Sequence, residues 1–246
     1  MTAEKNKWFE TWFDTPYYHT LYFKRDNKEA EDFISTLVKH LKPLPESKCW
    51  DLACGKGRHS IILNKQGLFV IGTDLSEQNI RYAGQFEKEK LEFYRLDMRS
   101  PFRTNYFDYV FNLFTSFGYF EKKSDDLKVF KSVYDSLKQG GSFIFDYLNG
   151  SMILNCLVKN ETKEIDGIQF TISKKFVKGR IQKYINIKDG DKELDFQESL
   201  TIYNKEEILA YATSVGLTCK EIFGNYNLET FNAEQSDRMI FIFIKN

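Results

Sequence analysis

Trp50-Asp51-Leu52-Ala53-Cys54-Gly55-Lys56-Gly57-Arg58-His59-Ser60 reads as a buried strand that runs into a glycine turn and then a helix. Val70-Ile71-Gly72-Thr73-Asp74-Leu75-Ser76 reads as a second buried strand ending on an acid. Glycines let a backbone approach a ligand closely, and a carboxylate at the next strand end can accept hydrogen bonds from ribose hydroxyls. Asp51 and Asp74 stand 23 positions apart, close to the spacing of about 20 residues expected for such a pair. The pattern implies an α/β sheet holding a nucleoside-like cofactor.

The pattern continues outward from this stretch. Strands are expected at Cys49–Leu52, Leu68–Thr73, Leu91–Arg95, Phe107–Leu113 and Gly141–Tyr147, with helices at Arg58–Gln66, Glu77–Lys88 and Lys123–Leu137. Such alternation builds βαβ units and a largely parallel sheet. Gly140-Gly141 is read as a helix-to-strand turn with glycine at the C-cap. Upstream, an aromatic-rich helix around Trp8–Tyr22 and a second over Lys28–Leu41 precede Pro43 and Pro45 and cap the core.

Between Ile165 and Tyr203 the period changes to short apolar-polar alternations, punctuated by Asp166-Gly167, Lys178-Gly179 and Asp189-Gly190. That is the signature of antiparallel hairpins. Asn204-Lys205-Glu206-Glu207 has capping-box chemistry and opens a helix ending at Gly216, before strands at Leu217–Phe223 and Arg238–Ile244. The domain reading is a helical lid over 1–45, a core over 46–150, a β insertion over 151–203 and a C-terminal completion of the core over 204–246.

Composition narrows the function classes. The chain of 246 residues is 42% hydrophobic and 28% charged, and Lys plus Arg equals Asp plus Glu at 35 each. No overall positive field gathers phosphate backbones, so the balance does not favour a nucleic-acid partner. The N-terminus lacks the apolar region of a signal peptide, and no run approaches a membrane span, which implies a cytoplasmic protein. Cys49, Cys54, Cys156 and Cys219 show no short paired spacing, so no metal site is expected. Cys54 reads as a small residue under the ligand rather than a nucleophile.

A dinucleotide fingerprint prefers Gly or Ala where this chain has Ser60, which weakens a nicotinamide reading. With Asp51 opening the motif and Asp97-Met98 ending a third strand, the ensemble resembles class I S-adenosylmethionine-dependent methyltransferases, from about Tyr18 to the C-terminus. The resemblance implies a Rossmann-like, doubly wound sheet of seven strands, mostly parallel with an antiparallel last strand. An N-terminal helical lid and the inserted hairpin layer complete this fold class.

The cofactor implied is S-adenosyl-L-methionine. In the resembled family the turn carrying Asp51, Ala53, Gly55 and Gly57 meets its amino acid end. Asp74, followed by Leu75, can accept from the ribose diol, while Ser76 offers a rival helix cap. Asp97 and Met98 match the residues that meet the adenine. Asn112-Leu113-Phe114-Thr115-Ser116-Phe117-Gly118-Tyr119 resembles the fourth-strand motif of a largely uncharacterised bacterial branch. There Asn112, Leu113, Phe114 and Phe117 would flank the methionyl part and Tyr119 would face the acceptor. Tyr18, Tyr22 and Arg25 match a helix that closes over the cofactor.

Methyl transfer from a sulfonium chiefly needs alignment and a dry site. A general base is required only for a protonated acceptor; His19, Asp146 and Tyr147 are the candidates. The expected partner is a small or medium-sized acceptor, reacting at N, O or C, on a monomer or homodimer. RNA-nucleoside or protein methylation and non-catalytic cofactor binding are the alternatives.

Overall fold

The computed structural model describes residues 8–22 and 27–246. The chain runs α1 (Trp8–Trp12), α2 (Pro16–Tyr22), α3 (Asn27–Leu41), β1 (Lys48–Leu52), α4 (Arg58–Lys65), β2 (Phe69–Asp74) and α5 (Glu77–Ala83), then β3 (Leu91–Arg95) and β4 (Phe107–Asn112). It continues through α6 (Lys123–Ser136), β5 (Leu137–Leu148), α7 (Gly150–Asn155), β6 (Asn160–Ile165), β7 (Ile168–Val177), β8 (Arg180–Asp189) and β9 (Lys192–Thr201). The last elements are α8 (Lys205–Val215), β10 (Leu217–Phe223) and β11 (Arg238–Lys245).

Seven strands form one sheet in the order β10-β11-β5-β4-β1-β2-β3. Neighbours from β5 to β3 are parallel, and β11 pairs antiparallel with both β5 and β10. Strand order reverses between β1 and β4, so the crevice for a ligand opens above their carboxyl ends. The central strands are buried on both faces, as in parallel sheets covered by helices. One face packs Trp50, Phe107, Phe130, Phe143 and Phe145; the other packs Phe33, Leu37, Leu63, Phe93 and Phe111.

The remaining strands form a separate antiparallel sheet, β6-β7-β8-β9. Its Asp166-Gly167 and Lys178-Gly179 turns have positive φ at both residues, the geometry that suits a right-twisted two-residue hairpin. The apolar row Phe170, Ile172, Ile185 and Ile187 is covered by Trp12 with Tyr17 and Tyr18. α1 and α2 therefore pack on the inserted sheet, whereas α3 joins the core beside α4.

Several local expectations change. The aromatic stretch from Trp8 to Tyr22 is two helices: the Thr15 hydroxyl accepts from the Tyr18 amide at 3.1 Å and Pro16 occupies the first turn, so a new helix starts there. Gly140-Gly141 is no C-cap, because α6 ends at Ser136 with Leu137 as its C-cap and β5 already includes both glycines, Gly140 at φ +77°. α7 and β6 carry no clear period and were not expected. At α8 the capping box forms as read, with Asn204 and Glu207 each accepting the other's amide, and Gly216 closes the helix at φ +96°.

Candidate active site

A cavity of about 1160 Å³ opens at the carboxyl ends of β1 to β4. Its floor is the first turn, where Ala53, Gly55 and Gly57 have φ of +61°, +56° and +81°. The turn is pinned from both sides, Cys54 N donating to Thr73 O at 2.9 Å and Gly57 N to Cys54 O at 3.0 Å. The two glycines differ in purpose. A Cβ on Gly57 would stand 2.7 Å from the Phe93 ring, so that glycine lets the helix pack; a Cβ on Gly55 would meet nothing within 4 Å, so it borders the cavity. The Ser60 hydroxyl donates to Asp51 Oδ2 at 2.6 Å, which gives serine a use at the position where dinucleotide binders prefer glycine. Burial raises the Asp51 pKa to about 6, although the Ser60 bond opposes that shift.

Asp74 accepts from Gly55 N and from Ser76 N, each at 2.9 Å. Its carboxylate thus ties the first turn to the second and lines the cavity beside Leu75; burial raises its pKa despite those two amides. Ser76 supplies the α5 cap by accepting from Asn79 N at 3.0 Å. At the third strand end Asp97 and Met98 line the cavity, and Arg99 Nε lies 2.9 and 3.0 Å from the two Asp97 oxygens. Cys54 is buried and its thiol is held protonated by that burial, so it is no thiolate nucleophile.

Leu113, Phe114, Phe117 and Tyr119 also line the cavity. Phe117 shows both characters, since its ring also packs edge-on to Phe130 and Phe145. Asn112 does not line it: the side chain is fully buried and donates to Leu52 O at 2.9 Å, joining β4 to β1.

Asp146 and Tyr147 depart further from expectation. Asp146 has 0% exposure and bonds Arg238 Nε at 2.8 Å and Phe114 N at 2.7 Å. Arg238 Nη2 in turn donates to Thr115 Oγ1 at 2.8 Å. The pair therefore holds Phe114 and Thr115, both left-handed at φ +57° and +60°, in a conformation costly for non-glycine residues. Tyr147 is equally buried, donates to Thr201 O, and is held protonated by burial. Neither residue reaches the cavity, so neither is an acceptor-side base. Arg238 was missed because nothing local to Asp237-Arg238-Met239 signals a partner 92 positions away.

The mouth is bordered by α1, α2 and the turn between them. Phe9, Phe13, Tyr18, His19 and Tyr22 line it with Tyr119 and Phe120. Phe13 packs edge-on to Tyr18 at 4.9 Å and to Tyr119 at 5.3 Å. Trp12 Nε1 and Tyr22 Oη converge on Glu198 Oε1 at 2.6 and 2.7 Å, anchoring both helices to β9. Asp14, between the helices, bonds the Ser76 hydroxyl and so touches the rim of the second turn. Burial, aided by Lys56, lowers the His19 pKa to about 4, which leaves the imidazole neutral at pH 7. Arg25 lies outside the described residues.

The cavity fits S-adenosylmethionine in shape and charge. Gly55 leaves the turn open, carboxylates stand at three successive strand ends, and apolar side chains Leu75 and Met98 flank them. Among the described residues, no group of three or more His, Cys, Asp or Glu is poised to hold a metal, and no helix is long and apolar enough to cross a membrane.

Residues 50–145 match the family model described as "Methyltransferase domain". A candidate methyltransferase of Geobacillus sp. (strain WCH70) is 24% identical over 223 residues, covering 86% of this chain and 90% of the relative. An S-adenosylmethionine-dependent methyltransferase from Clostridium acetobutylicum superposes with a TM-score of 0.79 at 22% identity, over 93% of this chain and 95% of that one. CalS10 of Micromonospora echinaspora, an amino pentose methyltransferase with S-adenosylmethionine bound, gives 0.70 at 16% identity, over 94% and 98%. Residues 50–145 thus carry a match to a methyltransferase domain, on a fold shared along nearly the whole chain with S-adenosylmethionine-dependent methyltransferases.

Proposed function

We propose that this methyltransferase modifies a small or medium-sized molecule. The observation that carries the reading is the aromatic wall that α1, α2 and Phe13 between them raise beside the cavity against Tyr119 and Phe120. A narrowed, aromatic-walled mouth of that kind suits an acceptor that can enter whole, whereas an RNA or protein segment is better served by a long groove. The amino pentose specificity of CalS10, similar along nearly its full length, supports the same size class.

The bound cofactor supplies an electrophilic methyl group on a sulfonium. Asp51 and the Ala53–Gly57 turn would hold its amino acid end, Asp74 its ribose diol, and Asp97 with Met98 its adenine. Leu113, Phe114 and Phe117 would line the methionyl part, with Tyr18 and Tyr22 above. Tyr119 and neutral His19 would face the acceptor; His19 can accept a hydrogen bond there without introducing a charge. The protein's task in this reading is alignment and exclusion of water, for which effective molarities are large.

Calorimetric titration with S-adenosylmethionine and S-adenosylhomocysteine tests the cofactor assignments. Wild-type protein should bind both, and Asp74→Ala should lose at least tenfold in affinity. An S-adenosylhomocysteine-release screen should then respond to small amines, alcohols or phenols. Release only with bulk RNA or protein would overturn the size class.

A further inference from the structure

Arg180 opens β8, immediately after the Lys178-Gly179 turn of the inserted sheet. Its guanidinium spends its donors on backbone and hydroxyl oxygens. Nη1 donates to Phe120 O at 2.7 Å and to Thr201 Oγ1. Nη2 donates to Tyr119 O at 3.1 Å and Ser199 O at 2.9 Å, and Nε donates to Ser199 Oγ at 2.8 Å. Gly118 O lies 3.4 Å from Nη2 and also accepts from Thr201 N at 2.8 Å. One planar cation thus grips three consecutive carbonyls of the 118–120 loop and joins them to β9. A lysine ammonium has three donors on one atom and cannot reproduce that fork.

The loop has no slack on its other side. Gly118 has φ +90°, and a Cβ there would stand 2.7 Å from Tyr147 Oη and 3.3 Å from Thr201 O. Tyr119 and Phe120, the next two residues, line the cavity. Phe114, on the cofactor side, and Thr115 have their own anchors in Asp146 and Arg238, and Tyr119 Oη reaches back to Thr115 O at 2.8 Å.

We propose that Arg180 is a positioning residue through which the inserted sheet sets the acceptor-side wall, while the cofactor side is set by the core. This deepens the small-molecule reading and rests on its assignment of Tyr119 to the acceptor side. It also gives the insertion a role in the reaction besides carrying α1 and α2.

The test combines amide exchange with cofactor affinity in full-length wild type, Arg180→Lys and Arg180→Ala. Both variants should speed exchange of the Thr201 amide, which donates to Gly118 O, by tenfold or more. Exchange in β1 and β2 should be unchanged, and S-adenosylhomocysteine affinity should stay within about twofold. Low millimolar guanidinium, but not urea at equal concentration, should restore slow exchange in Arg180→Ala. Unchanged exchange at Thr201, rescue by neither or both additives, or acceleration spread evenly over the core would overturn the proposal. Failure of the wild type to bind S-adenosylhomocysteine would instead strike the cofactor assignments, because the exchange measurement needs no ligand.

Discussion

Asp146→Asn separates a buried structural acid from a general base. The substitution keeps the shape and one acceptor oxygen but removes the charge. In the native protein that charge meets Arg238 Nε at 2.8 Å and Nη2 at 2.7 Å, with Asp146 itself fully buried and the Arg238 side chain 18% exposed. Removing one partner of a buried pair leaves the other uncompensated, at a cost of about 3–5 kcal/mol. The remaining oxygen cannot serve Phe114 N and the guanidinium as two carboxylate oxygens do. The left-handed Phe114-Thr115 pair, which costs about 1–2 kcal/mol per non-glycine residue, therefore loses part of its restraint. Urea unfolding followed by tryptophan fluorescence should show a loss of about 3–5 kcal/mol, with several-fold weaker S-adenosylhomocysteine binding as the wall relaxes. A loss below about 1 kcal/mol, with cofactor affinity intact and turnover abolished, would refute the reasoning and return Asp146 to the acid-base candidates.

Other outcomes follow from the same geometry. Gly55→Ala should leave the fold intact at a cost of about 1 kcal/mol for its positive φ yet weaken cofactor binding, whereas Gly57→Ala should unfold more readily because its Cβ meets Phe93; thermal melts beside calorimetry separate the two. Asp51 ionises near pH 6, so S-adenosylmethionine affinity should fall as pH drops from 7 to 5, and Asp51→Asn should bind weakly with a flat profile. His19 stays neutral in the fold down to about pH 4, while the unfolded chain takes up its proton below about 6.5. Its depressed pKa therefore subtracts stability as pH falls through that window, and urea midpoints of His19→Gln should decline less steeply between pH 6.5 and 4. The opposite slope expected from Asp51 and Asp126, both raised to about 6, is present in both proteins and cancels in the comparison.

The sequence by itself determined the strand-turn-helix at Trp50–Ser60, the acids closing β1, β2 and β3, the inserted hairpins and the α8 cap. Each is written in a local code: period-two or unbroken apolar runs, paired turn residues with positive φ, and a side chain capping an amide three residues on. The break between α1 and α2 was also legible, in Thr15-Pro16, though the aromatic run over it obscured the signal. What only the tertiary structure decided is where a polar side chain at an element's end is spent. Asp74 and Asp146 look alike as acids near a strand's carboxyl end; one borders the cavity and the other is consumed by an arginine 92 positions away. Arg180 reaches a loop 60 positions back, and Glu198 meets Trp12 across 186. Periodicity records which way a side chain faces relative to its own element; which element it meets there depends on how the sheets and helices close on one another.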